Sequence, residues 1–60
     1  MRNNMNQKNQ IMQSIRNGLE MRRKKLRELE NGILNNETRN KISHLKKEIR
    51  ILETELEELL

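Results

Sequence analysis

The last twenty residues, KISHLKKEIRILETELEELL, place Ile42, Leu45, Ile49, Leu52, Leu56 and Leu59 at alternating intervals of three and four. This is a heptad stripe, apolar at the a and d positions, and it covers one narrow side of a helix. Such a side is stable only when it lies against another helix. A second stripe runs through QIMQSIRNGLEMRRKKLRELENGIL, at Met12, Ile15, Leu19, Leu26, Leu29 and Ile33. Arg22 is its one interruption, and Gly18 costs the helix ~1 kcal/mol relative to alanine.

The two stripes are out of phase. Continuing the first would put its next a position at residue 40, whereas the second needs it at Ile42. The slip falls in ENGILNNET, where Asn31 and Gly32 suit the left-handed residue that ends a helix and Asn35 or Asn36 suits the N-cap of the next. Glu37 then sits in a first turn, where the helix dipole favours a negative charge. The pattern predicts an all-α chain with a polar flexible arm over 1–9, a helix over 10–31, a turn over 32–35 and a helix over 36–60. In the arm only Met5 can join a core. Matched helices with a short connection make an antiparallel hairpin. The competing arrangement is one continuous helix with a shift of register.

Size decides what else is needed. Below roughly 70–80 residues a single core seldom outweighs chain entropy without disulfides, metal or association. This chain has 60 residues, no cysteine and one histidine. Disulfides are excluded and a protein-only zinc site nearly so, which leaves association. The apolar residues are Leu, Ile and Met alone, with no aromatic residue, so the vocabulary is that of a helix bundle. The expected assembly is a homodimer of hairpins forming a four-helix bundle, with both stripes as its seam.

The charges set the orientation. In the second helix Arg39, Lys41, Lys46, Lys47 and Arg50 come first, then Glu53, Glu55, Glu57 and Glu58, an order that opposes the helix dipole. A parallel pair of such helices would set Lys41 against Lys46 and Glu48 against Glu53, both repulsive, whereas an antiparallel pair lays basic half on acidic half. The segment RRKKLR falls near the turn and is expected to face Lys41, His44, Lys46 and Lys47, giving one strongly basic pole. Arg22, Arg23, Lys24, Lys25, Arg27, Lys46 and Lys47, together with Ile51 at an outward c position, are the candidate partner contacts.

The net charge of +4 admits nucleic acid, an acidic protein or an anionic surface as partner. Phosphate contacts through residues 22–27 would be salt-dependent and blind to sequence. With no Phe, Tyr or Trp there is no platform for stacking bases. His44 and Glu48 share a helix face at a spacing that can hold a metal, without a third ligand, and Ser14 and Ser43 lack a base and an orienting group. No cofactor, small-molecule substrate or enzymatic activity is expected. No apolar run approaches the ~18 residues of a membrane span, and the start MRNNMNQKNQ lacks a signal-peptide core, so a cytoplasmic protein is expected.

The hairpin pattern resembles in outline the small helical aspartyl-phosphate phosphatases of bacteria, whose second helix carries a Ser-Gln-Glu-Leu-Asp motif. Here Ser43 to Lys47 read SHLKK, sharing the serine alone, and no activity is carried over. Nine asparagines, with many Ile and Lys, suggest AT-rich coding of a bacterial or phage kind. The function expected is that of a protein-binding regulator or inhibitor, with a phosphate-contacting nucleic-acid binder as the alternative.

Overall fold

The computed structural model describes residues 3–60, with side chains from residue 7 onward. Two helices, α1 (Asn3–Glu30) and α2 (Asn36–Leu59), pack against each other as an antiparallel hairpin. The continuous helix is thereby excluded, and the slip of phase is absorbed by the connection over 31–35.

The connection reverses the chain by ordinary means. Asn31 N–H reaches Arg27 O at 3.0 Å, and Gly32 N–H closes a tighter turn on Leu29 O at 3.2 Å. The expected left-handed residue at Asn31 or Gly32 is not used: among the described residues none has positive φ. The chain leaves α1 through the short Gly32 to Leu29 bond instead and runs extended into Asn35, at φ −108° and ψ −178°. Asn35 is the N-cap. Its side-chain oxygen accepts from Thr38 N–H at 2.8 Å, which satisfies one of the donors a helix start leaves open. Glu37 follows in the first turn, near the positive end of the helix dipole.

α1 begins at Asn3, not near residue 10, so residues 3–9 of the expected flexible arm are helical. Nothing between Asn3 and Asn17 breaks a helix, since this stretch has neither proline nor glycine. Residues 1 and 2 of the arm and the side chain of Met5 lie outside the described residues.

Register follows from two ion pairs on one side. Arg23 Nη2 meets Glu53 Oε2 at 2.7 Å, and Lys46 Nζ lies 3.9 Å from Glu30 Oε2. One heptad forward on α1 is one heptad back on α2, as an antiparallel pair with matched e positions requires. Leu60 shares a groove with Arg16, so the first turns of α1 project beyond the end of α2.

The core is thin. Met12, Leu19 and Ile49 are buried, whereas Ile15, Leu26, Leu29, Ile42, Leu45, Leu52, Leu56 and Leu59 are half-covered. Ile33, expected in the seam, is 85% exposed. α1 stops at Glu30, so the helical period no longer carries residue 33 onto α2.

Candidate interaction surface

The hairpin has two flanks, one carrying the e and b positions of both helices and the other the g and c positions. The e/b flank is cross-braced by Arg23 with Glu53 and Lys46 with Glu30. Its groove, between Arg16, Leu19, Arg23, Glu53 and Leu56, lies toward the open end. The g/c flank has its groove toward the turn, where Leu29 and Leu45 form a floor and Lys25, Glu37, Asn40, Lys41 and His44 a polar rim of mixed charge.

Between these grooves sits the feature that sequence reasoning assigned elsewhere. Arg22 was expected on the outward basic pole, and its side chain instead folds into the helix interface. Its Nη1 donates to Gly18 O at 3.2 Å, and its Nε lies 3.5 Å from Glu48 Oε1. That Nε is buried and makes no hydrogen bond, so the contact with Glu48 is a charge pairing rather than a bonded fork. Glu48 also stands 3.6 Å from His44 Nε2. Gly18 leaves room for the fold-back: a Cβ there would lie 3.1 Å from Arg22 Nη1, close enough that the guanidinium would have to shift by a few tenths of an ångström. The sequence shows only a d-position arginine four residues after a glycine, a spacing that does not by itself tell an inward guanidinium from an outward one.

The basic pole is accordingly smaller than expected. Arg22 and Arg23 of α1 face Glu48 and Glu53 of α2, and Lys46 of α2 faces Glu30 of α1, so three of the expected basic residues are paired across the hairpin. Lys24, Lys25, Arg27 and Lys47 are exposed and, among the described residues, make no ion pair within the chain. They do not converge. Lys24 and Lys47 fall at outer f positions of opposite helices, Arg27 on the e/b flank and Lys25 in the g/c groove. Lys41 contacts Glu37 at 3.7 Å, one turn away on its own helix.

Cut at the level of the Arg22 and Glu48 pair, the hairpin is an electrical dipole. The turn half, residues 22–48, holds nine Lys or Arg against four Glu. The open half, residues 3–21 and 49–60, holds three against five. Large apolar side chains also remain outside. Ile51 is 54% exposed, as its c position required, and Ile11 and Met21 are exposed at 51% and 72%. All three fall at g or c positions.

Among the described residues no cluster of His, Cys, Asp or Glu is placed to hold a metal ion, and no helix is long and apolar enough to cross a membrane. Compared with known protein families, curated proteins and solved structures, the chain matches none.

Proposed function

We propose that this hairpin is a non-enzymatic binding module, a regulator or inhibitor of bacterial or phage type that pairs with a second copy as a four-helix bundle and engages an acidic protein. The observation that carries the reading is the incomplete cover of the seam. Only three of its side chains are buried, while eight more are partly exposed, Leu56 in one groove and Leu29 and Leu45 in the other. Apolar area left in this state is stabilised by further helices, and association is the usual route to stability for a chain this short.

The target contact falls to the turn end, where Lys24, Arg27 and Lys47 stand free on three sides. Scattered single charges of this kind steer and orient an acidic partner more than they tighten it. The test is capture of partners on the immobilised chain, repeated with Lys24→Glu, Arg27→Glu and Lys47→Glu combined. A defined acidic protein that is bound by the parent, released by salt and lost to the variant is the expected result. Equal capture by both chains would reject the turn end as the contact.

The same free cations support a second reading, contact with nucleic-acid phosphates. Three or four such contacts give a salt slope of about −3 in log–log form on duplex DNA. A duplex bound at 50 mM salt with that slope, and released by the triple variant, would favour it. No binding at that salt would end it.

A further inference from the structure

We infer that the bond between Asn31 and Gly32 is a site of spontaneous chemical modification, where the asparagine amide is lost through a cyclic imide and a carboxylate takes its place at the turn. This goes beyond the binding reading above and does not depend on it.

The chain carries the same dipeptide twice, at Asn17 with Gly18 and at Asn31 with Gly32, and the fold treats the two differently. The chemistry is that of asparagine followed by glycine. The glycine backbone nitrogen gives up its proton to solvent base and attacks the asparagine Cγ, and the side-chain nitrogen leaves as ammonia. A water then opens the imide at either carbonyl, giving aspartate or isoaspartate. Amide and water are consumed, acid and ammonia are released, and no oxidant or further reactant is needed. Glycine suits the step because it has no Cβ to crowd the closing ring and leaves the backbone free to turn.

Closure requires the glycine N–H to leave its hydrogen bond and the asparagine to rotate its ψ until that nitrogen reaches Cγ. Asn17 is denied both. Gly18 lies in the middle of α1 with helix on either side, so freeing its N–H means opening the element from within. The Asn17 side chain points back along the helix, where its Oδ1 accepts from Gln13 Nε2 at 3.1 Å, away from the Gly18 nitrogen. Asn31, by contrast, stands past Glu30, the last residue of α1. Gly32 N–H is held by its bond to Leu29 O at 3.2 Å, and no further turn of α1 follows to keep it there. Asn31 is exposed, and among the described residues its side chain makes no hydrogen bond. Asn35 and Asn36 lie nearby, but each precedes a residue that bears a side chain, and Asn35 is occupied as the cap on Thr38 N–H. The product sets a negative charge at the C-terminal end of α1, which the helix dipole disfavours, and isoaspartate also lengthens the backbone at the turn by a methylene.

Prolonged incubation of the folded full chain at mildly alkaline pH, followed by tryptic mapping with fragment-ion assignment, tests the site. Cleavage after Arg16, Arg22, Arg27 and Arg39 puts Asn17 and Asn31 in different peptides, so each is read separately. Asn31 should convert at least about tenfold faster than Asn17, because only the second is protected by internal helix. In guanidinium the two rates should come together, since the dipeptides are then equally free. Gly32→Ala should slow conversion at Asn31 at least about tenfold and leave the far-ultraviolet dichroism unchanged, as the added Cβ hinders the ring but not the turn. Equal rates at Asn17 and Asn31 in the folded chain would overturn the assignment, as would faster conversion at Asn35 or Asn36. An Asn31 that stays intact in the folded chain while both sites convert in guanidinium would show the turn to be protective and would overturn it as well.

Discussion

Arg22 stands where a leucine would complete the first stripe, and its surroundings show the cost. The Nε is buried with no hydrogen bond, and the pairing with Glu48 is long at 3.5 Å, between side chains each more than a third exposed. An unsatisfied buried donor costs ~1–3 kcal/mol, and a half-solvated ion pair returns less than that. Arg22→Leu should therefore raise hairpin stability by about 1 kcal/mol, read as a higher urea midpoint with an unchanged slope. The reverse change in sign, Arg22→Glu, would set two carboxylates at the seam and lower the midpoint. Nothing in the one-dimensional pattern distinguishes an arginine that interrupts a seam from one that fills it. The spacing to Gly18 shows the difference only once the side chain is seen folding back over that residue.

At the scale of the element, the two helix ends at the connection are held by different means. α2 starts on a side-chain cap, whereas α1 ends on backbone bonds alone. Asn35→Ala should cost about 1 kcal/mol and lower the thermal midpoint. Gly32→Ala should be neutral or slightly stabilising, because φ there is not positive and a Cβ would meet its nearest atoms at an ordinary 3.6 Å. Measuring both variants in one thermal series separates a turn that depends on its asparagine from one that depends on its glycine. The start of α2 was legible because a cap is local chemistry written in adjacent residues. The start of α1 was not: NNMNQKNQ carries no acidic first turn and only middling helix formers, and a helix that merely continues leaves no mark in sequence. The inverted charge order of α2 has a structural use as well. Placing Glu48 and Glu53 after the lysines brings them level with Arg22 and Arg23, trading a small dipole penalty for pairing across the hairpin.

At the scale of the molecule, the hairpin was legible from the slip in heptad phase, which a continuous helix could absorb only by distorting its coil. Which charges pair across the hairpin was not legible, because that depends on the register between helices rather than on the phase within each. The structure measures 52 × 16 × 13 Å, a slender body whose length exceeds the paired region because α1 runs past α2. In those first turns every backbone bond is internal to a single helix, and Gln7, Lys8, Asn9 and Gln10 are exposed. Helix content and resistance to opening therefore separate along the same element. Dichroism counts residues 3–10 as fully as Leu19, yet their amide hydrogens should trade with deuterium at close to the rate of an isolated helix, orders of magnitude ahead of those around Leu19 and Ile49. A flat exchange profile from Gln7 to Arg27 would mean that something outside one chain braces the projecting turns.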